Sequence, residues 1–205
     1  MASDKDKIAE NLLYKLRDFV RESAKKRLET AACVPDIPIE ELEGINCVET
    51  EHWVAIIVIS AAALRIKFRV HFTYESALKY MHGNPNLRDK SAQSTAMDFV
   101  REYCNLTAGA IKLGLQQFYT VGTNKDDEFV VNLPDQQVGK IQHSLEQNVN
   151  AENKTVSDCW RFNHGGDFLI CASRIEIINL EATKKLCEAD LSSVLVSDNG
   201  DIEFL

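Results

Sequence analysis

Four residues of this sequence, Asp98, Glu102, Asn105 and Gly109, have types and spacing that could do chemistry. Offsets of four, three and four residues bring side chains one above another on one face of a helix. Two carboxylates and an amide then line one exposed ridge of that helix. Glycine in a helix costs about 0.5–1 kcal/mol relative to alanine, so Gly109 requires a reason, and close packing against another backbone is the simplest. On spacing alone, a solvated polar face with a packing glycine is the simpler interpretation.

An amphipathic helix over residues 92–115 must carry this ridge. Its apolar side chains recur at helical spacing, which predicts a buried face next to the face that carries the carboxylates. The predicted core face consists of Met97, Val100, Cys104, Ala108, Ile111 and Leu115. A second amphipathic helix over residues 4–30 opens the chain, and a short helix over residues 74–82 follows the capping residue Thr73.

Alternating apolar and polar residues predict a sheet next to these helices. Two adjacent strands are expected within residues 47–72, after a proline-containing loop over residues 34–44. In the second strand, Lys67, Arg69 and His71 form either a solvated sheet face, the simpler interpretation, or a docking patch for an acidic partner. Further strands are predicted at residues 117–121, 128–133, 156–162, 168–178 and, after a short helix, 202–204. Gly165 and Gly166 predict a hairpin turn between the third and fourth of these.

Length and charge predict one globular α/β or α+β domain over residues 1–205. A net charge of -8 argues against a general nucleic-acid binder, which needs a basic surface. No apolar run reaches the ~20 residues that span a bilayer, so we expect a cytoplasmic protein with no membrane partner. The 6 cysteines and 5 histidines lack metal-ligand spacing; we expect reduced cysteines, surface or turn histidines and no metal site.

The run D-x-x-x-E-x-x-N followed by T-A-G, from Asp98 to Gly109, resembles the signature of the CheX/CheC/FliY chemotaxis phosphatases. The stretches LRIKFRVHFTYESALKYMHGN and VVNLPDQQVGK resemble that family's strand with its short helix and its proline-bearing strand exit, here at Pro134. The resemblance covers residues 45–180, between the opening helix and a C-terminal extension over residues 181–205. It implies a CheC-like or CheX-like fold, with a mixed or antiparallel sheet and long helices on one face.

The same resemblance implies a function. Asn105 would orient water in line with the aspartyl phosphate of a CheY-type response regulator, because an amide both donates and accepts hydrogen bonds. Glu102 would accept a hydrogen bond from the partner's lysine. The supporting residues would be Asp98, Gly109 and Pro134. Mg²⁺ would come with the phosphorylated partner, this chain would bind no cofactor of its own, and a homodimer with a single active-site motif is implied. Two alternatives stay open: a non-catalytic dimeric scaffold for a receiver domain or motor component, and an accidental motif on an unrelated fold.

Overall fold

Four helices and seven strands make up the described part of the chain in the computed structural model, which covers residues 4–43, 53–81, 90–119, 130–132, 139–140 and 153–191. The helices are α1 (Asp4–Ala32), α2 (Tyr74–Tyr80), α3 (Lys90–Tyr119) and α4 (Lys184–Glu188). The strands are β1 (Ile39–Glu41), β2 (Trp53–Ser60), β3 (Leu64–Phe72), β4 (Val130–Asn132), β5 (Gly139–Lys140), β6 (Lys154–His164) and β7 (Asp167–Ile177). The predicted helix–sheet combination is confirmed as an α+β fold.

The strands form one antiparallel sheet in the order β1-β6-β7-β3-β2-β4, with β5 also paired to β2. The longest hairpin, β6–β7, turns at Gly165 and Gly166, whose φ angles of +61° and +86° confirm the predicted glycine turn. Glycine is favoured there because positive φ brings a Cβ into steric conflict with the backbone. The paired strands β2, β3, β6 and β7 thus form the continuous centre of the sheet.

The helices cover one face of this sheet. Alternate residues of the central strands, including Phe68, Trp160 and Cys171, point toward α1 and α3 and share one apolar core with them. The opposite face has a smaller cluster of Cys159, Ile170 and Ala172. The expected arrangement, an antiparallel sheet with long helices on one face, is therefore confirmed.

The face of β3 turned away from the helices is less open than predicted. Lys67 and Arg69 are half-buried, and His71 is buried, at 4% exposed. His71 lies directly opposite Val54 on one neighbouring strand and Ile170 on the other, so these apolar neighbours cover its ring. The prediction of a solvated face, and of His71 as a surface residue, was therefore wrong for His71.

Other element predictions have mixed outcomes. The opening helix, the two strands of residues 53–72 and the capping box of Thr73 with Ser76 are confirmed. The predicted loop over residues 34–44 contains β1, and the predicted strand at 117–121 is wrong for residues 117–119, where α3 continues. β4 lies within the strand predicted at residues 128–133. Residues 202–204 and Pro134 lie outside the described residues.

Among the helices that the structure describes, none is long and apolar enough to cross a membrane.

Candidate functional site

The solvent-facing side of α3 brings the four predicted site residues onto one ridge. Asp98 and Glu102 are exposed, while Asn105 and Gly109 are half-buried. The opposite side of α3 is buried at Val100, Cys104, Ala108, Ile111 and Leu115, as predicted, although Met97 is only half-buried. Glu102 and Asn105 are one helical turn apart, a spacing that places Cβ atoms about 5–6 Å from each other. An exposed carboxylate and a half-buried amide therefore lie side by side on the ridge. Pro134 lies outside the described residues.

Tyr103, between Glu102 and Asn105 in sequence, fixes the rotation of this helix. Its fully buried hydroxyl lies 3.1 Å from the carbonyl oxygen of Ala24 in α1 and 3.7 Å from Cys171 Sγ in β7. Its ring meets Phe68 of β3 edge to face, with 6.2 Å between centroids. Burial raises the pKa of the Tyr103 hydroxyl well above its ordinary value of 10.0, so the group stays protonated and can donate. Contacts to α1, β3 and β7 thus hold the buried side of α3 in one orientation.

Tyr103 was not among the residues predicted for the core. A usable signal existed, because Val100, Tyr103 and Thr107 follow one another at offsets of three and four, and all three are buried. The buried side of α3 is therefore wider than the predicted stripe, which leaves a narrower exposed ridge.

A second contact holds the start of the ridge. The hydroxyl of Tyr74, in the first turn of α2, lies 3.9 Å from Sδ of Met97, the residue before Asp98. The ring of Tyr74 in turn packs on Trp53 of β2, with 5.2 Å between centroids. The short helix α2 thereby supports α3 next to Asp98 and connects it to the sheet.

Charge on the ridge is partly balanced within α3. Arg101 Nη1 lies 3.3 Å from Asp98 Oδ1, three residues away on the helix. Both side chains are substantially exposed, at 39% and 67%, so the pair contributes at most a few tenths of a kcal/mol to stability. A nearby cation also weakens the repulsion between Asp98 and Glu102. Glu102, one turn from Asn105, is the exposed carboxylate nearer to that amide along the helix.

Gly109 has no close-packing partner in the described structure. A Cβ atom built at this position would meet no atom within 4 Å outside its immediate surroundings in the helix. The part of the chain that the structure describes therefore does not supply the close packing expected for this glycine.

The ridge differs from a small-molecule pocket. A cavity of about 420 Å³ lies between α1 and the segment that follows α4, and none of the four ridge residues lines it. It is lined by Lys15, Asp18, Phe19, Glu22, Glu188, Ala189, Asp190 and Leu191. Small ligands are usually held in concave sites that bury most of their surface, whereas an exposed helix face suits a macromolecular partner.

Comparison with known proteins gives a fold but no sequence relative. No family model and no curated protein matches the sequence. The structure is similar to a chain of the CheX–CheY–BeF3–Mg²⁺ complex from Borrelia burgdorferi, with a TM-score of 0.54, 12% identity and coverage of 78% of this chain and 96% of that chain. The chain has the CheX/CheC-like fold.

Two further solved structures agree on the CheX/CheC-like fold. A CheC-like superfamily protein from Shewanella sp. PV-4 has a TM-score of 0.54 at 16% identity, covering 79% of this chain and 97% of its own. A chemotactic CheC-like protein from Shewanella oneidensis MR-1 has a TM-score of 0.54 at 15% identity, covering 79% of this chain and 98% of its own. The resemblance inferred from the motif on α3 is confirmed at the level of the fold, and the roles of Glu102 and Asn105 stay predictions.

Proposed function

We propose that this chain is a CheX-like phosphatase that hydrolyses the aspartyl phosphate of a CheY-type receiver domain. The observation that carries the proposal is the placement of an exposed Glu102 and a half-buried Asn105 one turn apart on the solvent-facing side of α3. The CheX/CheC-like fold supports it, since one structure with that fold is a complex of CheX with CheY. The partner would be a phosphorylated receiver, which implies a cytoplasmic location.

Asn105 is the proposed catalytic residue. Its amide oxygen accepts and its amide nitrogen donates a hydrogen bond, so it can orient water toward phosphorus without changing protonation state. Positioning of this kind is most of what phosphoryl transfer requires from a protein, because little covalent chemistry is left to the side chains. Asn105 is half-buried, and Tyr103 holds the helix that carries it. The position from which the amide extends is therefore defined.

Glu102 is the proposed docking residue. Its exposed carboxylate would accept a hydrogen bond from the receiver's lysine, a charge-assisted contact that strengthens as water leaves the interface. Asp98, with Arg101 beside it, would support the same surface, and Pro134 remains a supporting residue proposed from the resemblance alone. Mg²⁺ belongs to the receiver in this proposal, and homodimerisation is proposed from the resemblance.

The test measures the decay of phosphorylated receiver domains from the same organism, with Mg²⁺, in the presence of the native chain or Asn105→Ala. The matched control is Asn11→Ala, the same substitution at an exposed position of α1. Both substitutions remove an amide from a helix surface, so circular dichroism and thermal unfolding should report a retained fold for both. We expect faster decay with the native chain and Asn11→Ala, and a loss of at least tenfold in that acceleration with Asn105→Ala.

Two results would each contradict one part of this proposal. Equal acceleration by the native chain and Asn105→Ala would remove Asn105 from catalysis while the phosphatase activity stands. Binding of the receiver without any acceleration of its decay would favour the alternative function, a non-catalytic module that docks a receiver domain. Binding is measured with a receiver that carries beryllium fluoride and Mg²⁺, the state named for the Borrelia burgdorferi complex.

A further inference from the structure

Glycine at position 109 lowers the stability of α3 relative to alanine, and no contact in the described structure compensates for that loss. It lies in the interior of α3, where glycine is less favourable than alanine because it loses more backbone freedom on folding. A Cβ at this position would meet nothing within 4 Å outside its immediate helical surroundings. An alanine would therefore fit among the described residues and would favour the helix, so the part of the chain that the structure describes gives no reason for glycine here.

The position of Gly109 on the ridge suggests an external reason. It follows Asn105 by four residues, so the two lie about 6 Å apart along the helix axis and on the same face. Leu113, a further four residues on, is one of the large apolar side chains left exposed in the described structure, at 45%. A gap without a side chain is thus bordered by the amide of Asn105 on one side and an apolar side chain on the other.

We propose, resting on the phosphatase function above, that Gly109 is a docking recess in which the phosphorylated receiver places backbone, with Leu113 as its apolar border. Because glycine has no Cβ, another backbone can approach a helix more closely at a glycine than at any other residue. Gly109 would then set the distance between the receiver's backbone and α3. Gly109 is in this sense a positioning residue, because it sets how far the Asn105 amide lies from the phosphoryl group.

This distance between the receiver and α3 matters because the reaction depends on a water molecule held in line with the phosphorus atom. A misplacement of about 1 Å at a reacting centre can cost on the order of a hundredfold in rate. A methyl group at position 109 adds more than that to the helix surface, and a long side chain adds several times as much. A substitution at Gly109 should therefore separate stability from activity, with stability rising and activity falling.

The test compares Gly109→Ala and Gly109→Gln with Ser94→Gln, an exposed position 15 residues earlier on α3 and about 22 Å away along its axis. Thermal unfolding of the full chain reports stability. Affinity is measured with a receiver that carries beryllium fluoride and Mg²⁺, and rate with the phosphorylated receiver at saturating concentration. We expect an unchanged or higher Tm for both Gly109 variants, at least tenfold weaker affinity for Gly109→Gln, and at least a fivefold lower saturated rate for Gly109→Ala. Ser94→Gln should match the native chain in affinity and rate.

The outcomes distinguish the recess from the function on which it rests. If the native chain accelerates decay and Gly109→Gln does so equally well, the recess is refuted while the phosphatase function stands. A lower Tm for Gly109→Ala would also refute the recess, because it would reveal a packing role within the chain. If the native chain neither binds nor acts on any receiver domain, the proposed function and this inference both fail.

Discussion

The Tyr103 hydroxyl donates a 3.1 Å hydrogen bond to the Ala24 carbonyl oxygen and so joins the candidate site helix α3 to α1. Tyr103 stands between Glu102 and Asn105 in sequence but points to the opposite side of the helix. Because successive helical residues are rotated by about 100°, a fixed Tyr103 fixes the directions of both neighbours. The orientation of the candidate site is therefore decided in the core, by a residue that would never touch a partner.

Tyr103→Phe should lower the free energy of unfolding by about 1 kcal/mol, since it removes the buried hydrogen bond to Ala24 and the contact with Cys171 Sγ but leaves the ring contacts in place. Urea unfolding of the two chains measures the difference. Tyr14→Phe is the matched control, because it removes the same hydroxyl from a tyrosine of α1 that is 47% exposed. Equal stability of Tyr103→Phe and the native chain would mean that the hydrogen bond to Ala24 does not hold α3.

Asp98→Ala should change the free energy of unfolding by no more than about 0.5 kcal/mol. Its ion pair with Arg101 is exposed, and water screens such pairs. Denaturant unfolding at low and high salt measures the effect, and the small difference should shrink further in high salt. A loss above 2 kcal/mol would show that Asp98 holds the fold rather than the partner-facing surface.

Local patterns in the sequence predicted the parts of the site that depend on local structure. The spacing of Asp98, Glu102 and Asn105 was sufficient to place them on one face of a helix, because helical periodicity relates only near neighbours. The turn at Gly165 and Gly166 was predictable for the same reason.

Features set by distant residues were not predictable in this way. The edge strand β1 pairs with β6, more than 110 residues later, and its three residues sit in a segment with loop composition. His71 is buried because Val54 and Ile170 are its cross-strand neighbours, and that register depends on the whole sheet. Gly109 is a related case, since helical periodicity does not show what packs against it and the described residues supply no partner.

Substitution of the hairpin glycines should destabilise the fold through the backbone alone. Gly165 and Gly166 have positive φ angles, and an added Cβ at either would meet no neighbouring atom within 4 Å. Alanine at either position should therefore cost about 1 kcal/mol, the penalty of a left-handed conformation. Gly165→Asn should cost less than Gly165→Ala, because asparagine tolerates this conformation better. Thermal unfolding of the three variants checks the order, and equal losses for alanine and asparagine would contradict the backbone explanation.

Arg174→Gln should raise the free energy of unfolding at pH 7 by about 0.2–1 kcal/mol, the range of a cross-strand pair. Lys67 lies directly opposite Arg174 on the sheet. Partial burial, Arg69 and Arg174 together lower the pKa of Lys67 below its ordinary value of 10.5. The folded state therefore disfavours the charged lysine, and removal of one neighbouring cation relieves that repulsion.

The pH dependence of this gain follows from the direction of the Lys67 shift. At a pH below the folded-state pKa of Lys67, the lysine is charged in both states and the repulsion is present in full. As pH rises from there toward 10.5, the folded protein loses the proton first, and the repulsion between Lys67 and Arg174 disappears. The advantage of Arg174→Gln should therefore be larger at pH 7 than at pH 10, measured by urea unfolding of both chains at each pH. Arg65→Gln is the matched control, because Arg65 lies 3.3 Å from Glu176 and its replacement should not raise stability. An advantage of Arg174→Gln that is equal at both pH values would mean that Lys67 is not the charge that Arg174 repels.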